Sequence, residues 1–271
     1  MARAPGSPWR RLFWFSAAFV LLALLLRREG QKLARELTPA PNASLDSTAQ
    51  AMADAFDASG TPDVGRPGNA VSVTSGLPEP ERDSVRIAFS LDARGPSTYL
   101  PELLAARGGW NYRWPDRRAE PMRVWVQAAS GPNWDDAYPA LVREGFTAWE
   151  GLGLPLLFTI VRDSARAEVL VTWVERFDER MTGQTSWRYD QHGWIVGGNI
   201  QLALQLPDGR RVSQDGVRAI TRHEVGHLLG LDHPQDTTSV MAAQVYVTEL
   251  SERDRRTVRL AYELPPGRVW P

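Results

Sequence analysis

The chain has 271 residues, with 31 Lys and Arg against 32 Asp and Glu, a formal net charge of -1, and no cysteine. Balanced charge argues against nucleic acid as the main partner, and the lack of cysteine excludes disulfides and thiolate metal ligands. This length accommodates one or two domains, and composition changes sharply along it.

Residues 12–26 carry no charge and lie between Arg10, Arg11 and Arg27, Arg28. As a helix they would span about 22 Å, which reaches across the roughly 30 Å hydrocarbon core only with help from flanking residues and snorkelling arginines. Residues 1–28 are therefore a membrane anchor or a signal segment. No small-x-small pair follows Arg27-Arg28-Glu29-Gly30, which favours an uncleaved anchor. Orientation is not set by charge, since Arg3, Arg10 and Arg11 before the segment face Arg27, Arg28, Lys32 and Arg35 after it. Residues 29–83, and 38–83 above all, are rich in Pro, Gly, Ala, Ser, Thr and Asp and read as a flexible linker, with a short amphipathic patch at 49–56.

Order returns in residues 84–120, which read as an N-terminal extension of the following domain or as the remnant of a removable segment. Residues 85–89 suggest a strand and residues 99–106 a brief helix, and Trp110, Tyr112 and Trp114 form an aromatic cluster suited to packing on a core. Residues 122–127 alternate as a strand. Residues 138–151 form an amphipathic helix with Leu141, Val142, Phe146 and Trp149 on one face, and residues 156–161 and 168–174 are apolar, β-branched runs suited to central strands. His192 sits in a polar turn and reads as a surface residue, and Gly197-Gly198 reads as a turn or bulge rather than a phosphate loop. The arginines at 210, 211, 253, 255, 256 and 259 are interleaved with acids or spread along a helix, as on a solvated face.

Three of the four histidines then fall within residues 223–233, His-Glu-Val-Gly-His-Leu-Leu-Gly-Leu-Asp-His. His223 and His227 share one face of a helix, so their imidazoles can converge on one ion with Glu224 beside them. Gly230 can end the helix in the left-handed conformation and turn the chain back, bringing His233 round as a third ligand. Three protein ligands leave a fourth position open, as in a catalytic rather than a structural zinc site. The five fixed positions would arise by chance with a probability on the order of 10^-5.

This pattern, with Met241 eight residues after His233, resembles the metzincin zinc peptidases. The run from Gly230 to His233, the short distance to Met241, and Leu250-Ser251-Glu252-Arg253-Asp254 opening a last helix resemble the matrixins in particular, over roughly residues 121–262. The resemblance implies an α+β fold in which residues 121–271 form a small, twisted, mostly parallel sheet with an active-site helix and a C-terminal helix. Residues 183–187 would be the edge strand and 195–204 its neighbour, and an edge strand can hold an extended peptide by adding it to the sheet. One catalytic zinc would be held by His223, His227 and His233 above an apolar floor at Met241, with calcium left open. The implied function is a zinc-dependent endopeptidase acting on extended polypeptides, in which Glu224 takes the proton of zinc-bound water. The implied location is outside the cytoplasm, on the membrane through residues 12–26 or secreted after cleavage.

Two departures bear on this. Without cysteine, a thiolate cannot hold the zinc in a latent form, and Ala242-Ala243-Gln244-Val245-Tyr246 stands where the family often has a Pro-x-Tyr stretch lining the specificity pocket. Two alternatives remain: a peptidase in which Glu249 replaces His233 as ligand, and a membrane-tethered binding or scaffold module without hydrolysis. Gly230 and His233 argue against the first, and Glu224 against the second.

Overall fold

The computed structural model describes residues 70–177 and 181–270. The segment at 12–26 and the linker up to residue 69 lie outside these, and among the described residues no helix is long and apolar enough to cross a membrane.

The first element is β1 (Ala70–Val73), in a stretch whose composition reads as linker. It is instead a strand of the main sheet. Four residues, three of them Ala or Val, leave no mark on a composition average, yet the Ala-Val-Ser-Val run suits a strand that finds a partner. The next element corrects a second expectation. Residues 85–89, with apolar side chains at every second position, belong to helix α1 (Ser84–Arg94), which Asp83 caps by accepting from the Val85 and Arg86 amides. The helix buries Ile87 and Leu91 and leaves Val85 and Phe89, 78% and 72% exposed, facing outward. The cap and the four-residue spacing of the buried pair outweigh the two-residue alternation.

Helix α2 (Leu100–Ala106) follows, then β2 (Trp110–Asn111). The main elements after that are β3 (Met122–Val126), α3 (Tyr138–Glu150), β4 (Phe158–Ile160), β5 (Val169–Val174), β6 (Gly183–Asp190) and β7 (Ile195–Ala203). Helices α4 (Gln214–Leu228) and α5 (Glu252–Glu263) and the short β8 (Gly267–Arg268) complete the chain.

Six strands form one sheet in the order β1-β6-β7-β5-β3-β4. It is mostly parallel, since only β6 and β7 run antiparallel. Val124, Val169, Val171 and Ile200 are fully buried in its central strands, at alternate positions that share one face of the sheet. β4 is shorter than the apolar run that contains it, because Leu156 packs into the core from the preceding loop while Ile160 lies on the far edge, 38% exposed.

α3 buries the four residues read from its periodicity and lies against α4, with the Trp149 indole donating to the Arg222 carbonyl at 3.1 Å. Residues 84–120 share the same core. Trp114 is buried and its indole donates to the Leu228 carbonyl at 2.8 Å, while β2 pairs with β8.

Asp254 ties these parts together. It sits in the capping box of α5 with Ser251, fully buried, and its carboxylate accepts from the Tyr99 hydroxyl (3.1 Å), the Val240 amide (3.2 Å), the Ser251 amide (2.8 Å) and the Ser239 hydroxyl. Asp254→Ala would leave these donors buried without an acceptor, at about 1–3 kcal/mol for each that finds no water. Urea unfolding should therefore show a loss of about 3 kcal/mol or more with an unchanged slope.

Candidate metal centre

Helix α4 begins where the Ser213 hydroxyl accepts from the Gly216 amide, and its apolar stripe buries Val217, Ile220, Val225 and Leu228. That burial fixes the helix rotation and so aims His223, Glu224 and His227. The helix stops as its sequence suggests. Gly230 has φ +91°, the Gly230 amide donates to the His227 carbonyl at 2.9 Å, and the Leu231 amide reaches back to the Gly226 carbonyl at 3.0 Å. These two bonds are the usual closure of a helix ending in a left-handed residue. A side chain at Gly230 would also meet the Tyr112 carbonyl oxygen at 2.1 Å, so both conformation and space require glycine.

The turn delivers His233 to the other two. The Nε2 atoms of His223, His227 and His233 lie 3.0, 3.1 and 3.2 Å apart in pairs. The His223 Nδ1 lies 2.8 Å from the Val240 carbonyl and the His227 Nδ1 3.1 Å from the Leu231 carbonyl. A carbonyl can only accept, so each Nδ1 carries the proton and each Nε2 turns a lone pair toward the cluster. Burial, followed by charge on His233, holds the His223 imidazole down to about 3, and burial also lowers His227 and His233. The rings are therefore neutral at physiological pH. Neutral imidazoles with lone pairs converging on one point repel one another unless a cation sits between them. Nitrogens about 2.0–2.1 Å from a tetrahedral metal lie about 3.3 Å apart, so the group can hold a metal ion.

Glu224 lies beside the cluster, 4% exposed. Burial pushes its carboxyl up to about 7, against the lowering effect of a hydrogen bond from Thr185. The Thr185 hydroxyl is 2.7 Å from Oε2 and 3.0 Å from the Glu224 carbonyl oxygen. The other oxygen, Oε1, faces Gly183, where an added Cβ would lie only 2.4 Å away. The carboxylate is thus held on one side by β6 and leaves one oxygen beside that strand.

Met241 is fully buried, its sulfur packed on Gly226, and the preceding Val240 supplies the carbonyl that orients His223. Glu249, the alternative ligand, pairs with Arg222, and His192 lies in the β6–β7 turn, its amide bonded to Asp190. Sequence reasoning did not single out two contacts. Thr185 had a readable signal, since it lies two residues before the buried Trp187 and so shares its strand face. Arg107 had none. Its guanidinium donates to the Gly230 carbonyl (2.7 Å), the Leu231 carbonyl (3.3 Å) and Asp232 (3.1 Å), bracing the turn that carries His233.

A comparison with protein families finds a match to the matrixin model over residues 131–263. No curated protein matches the chain. Among solved structures, myroilysin aligns over 58% of this chain and 85% of its own length, with 14% identity and a TM-score of 0.39.

Cobalt(II), which reports its coordination by visible absorption, should bind the metal-free protein at one equivalent per chain. His233→Ala should weaken that binding by at least about tenfold.

Proposed function

With a matrixin-like metzincin domain over residues 131–263, we propose that the chain is a zinc-dependent endopeptidase acting on extended polypeptides, held outside the cytoplasm by its apolar N-terminal segment. The observation that carries this reading is the buried Glu224 carboxyl set beside three converging imidazole nitrogens.

His223, His227 and His233 would hold the zinc through Nε2. When bound, zinc supplies a Lewis acid that polarises a peptide carbonyl and lowers the pKa of a water to about 7. Glu224 does the proton work. With Oε2 engaged by Thr185, Oε1 takes a proton from the attacking water and later gives it to the departing amide nitrogen as the C–N bond breaks. Burial raises the carboxyl and a bound cation would lower it, and a base that must first accept and then return a proton works between these two pulls. Among the described residues, 183–186 of β6 have no strand partner on the side away from β7, and a substrate would add there as a further strand.

A binding module without hydrolysis would have no need of a desolvated carboxyl at this point, and burying one unpaired with a cation costs stability. That cost favours the catalytic reading over the scaffold.

The test is casein cleavage by the full-length chain, with bound zinc measured in parallel. Glu224→Gln should keep about one zinc per chain and lose roughly 10^2-fold or more in turnover. Full cleavage by this variant, or cleavage that survives removal of zinc by a chelator, would refute the proposal.

A further inference from the structure

On the reading that His223, His227 and His233 hold the zinc, we propose that Arg107 is the positioning residue for two of these ligands. Residues 100–114 are then a permanent part of the metal centre and not a segment removed to activate it.

Leu228, Leu229, Gly230 and Leu231, which join His227 to His233, are all buried, so every carbonyl along this turn needs a donor. Two are satisfied locally. The Gly226 carbonyl accepts from the Leu231 amide and the His227 carbonyl from the Gly230 amide. The next two are met from outside the turn, by the Trp114 indole at 2.8 Å from the Leu228 carbonyl and the Tyr262 hydroxyl at 3.3 Å from the Leu229 carbonyl. Arg107 serves the last two. Its guanidinium lies 2.7 Å from the Gly230 carbonyl and 3.3 Å from the Leu231 carbonyl, and a third bond runs to Asp232 at 3.1 Å. The Leu231 carbonyl is also the one that orients the His227 ring, and Asp232 accepts from the His233 amide at 2.9 Å. One guanidinium therefore bears on the second ligand through Leu231 and on the third through Asp232.

Arg107 is itself held in place. It follows helix α2, whose Leu100, Leu103 and Leu104 are buried, and its own amide closes that helix on the Leu103 and Leu104 carbonyls. Its side chain is only 7% exposed, and Asp232 is its one ion-pair partner among the described residues. The carbonyls gathered at the C-terminal end of α4 favour a cation at that point. A planar guanidinium is also the side chain that can reach three acceptors at once. The matched family region begins at residue 131, so this support comes from outside it.

The experiment uses the full-length chain, with zinc affinity measured by competition against a chromophoric chelator and the centre read by cobalt(II) absorption. Arg107→Met keeps an unbranched apolar stem and removes all three donors. Zinc affinity should fall by about tenfold or more, the scale of losing a partner behind a metal ligand, and the visible cobalt bands should shift or weaken. Arg107→Lys keeps the charge with a less extended set of donors and should recover part of both. A role confined to folding would lower the stability of the metal-free protein and leave the zinc affinity and cobalt spectrum of its folded fraction unchanged. That result would overturn the proposal. Should Arg107→Met fold poorly, Arg107→Lys stands in its place, with a smaller loss of affinity expected and an unaltered affinity counting against the role. Mass spectrometry of the species that cleaves casein is a second check. It should retain residues 100–114, and an active form that begins after them would overturn the proposal as well. The zinc readouts need no turnover, so zinc binding without cleavage would remove the peptidase reading and leave the role of Arg107 standing. No zinc on the unaltered chain would overturn both.

Discussion

The site depends on the orientation of three imidazole rings, because a metal can be shared only if all three Nε2 lone pairs meet at one point. Two of the rings are set by more than their place on the chain. The Val240 carbonyl fixes His223 and the Leu231 carbonyl fixes His227, and both carbonyls lie in turns that are themselves held. Asp254 binds the Val240 amide and the Ser239 hydroxyl, and Arg107 binds the carbonyls of Gly230 and Leu231. The ligands therefore rest on the C-terminal helix and on the segment before residue 121, both of which share the core of the sheet. A charged or hydrogen-bonded support of this kind raises ligand basicity and removes the freedom a ring would lose on binding.

The same economy of position links the helix to the sheet edge. Glu224 is a residue of α4, but its carboxyl is placed by β6, through the Thr185 hydroxyl on one oxygen and the bare Gly183 beside the other. The strand that positions this carboxyl is thus also the one on which the proposed substrate would lie.

Much of the centre was legible because it is local. His223 and His227 follow from helical spacing, and Gly230 announces the turn that returns His233. The Met241 turn and the 250–254 segment that opens the last helix are likewise short-range patterns. What escaped is long-range. Arg107 contacts carbonyls more than a hundred residues away, and Thr185 reaches Glu224 across a gap of 39 residues. β1 escaped for the same reason, since a four-residue strand in a linker-like stretch is recognised only by the partner it pairs with. Helix α1 was misread because its apolar residues at 85, 87, 89 and 91 fit a strand, and only the Asp83 cap and the outward-facing Val85 and Phe89 show which periodicity holds.

The central claim is that three imidazoles and one solvent-accessible position make up the metal site. The most direct test is zinc-edge X-ray absorption on the purified full-length chain, read against the same measurement on His233→Ala. The account predicts one zinc with three imidazole nitrogens and one oxygen, at about 2.0–2.1 Å, and one imidazole fewer in the variant. A site with two imidazoles and a protein carboxylate in the unaltered chain, or a coordination shell that the variant leaves unchanged, would contradict it.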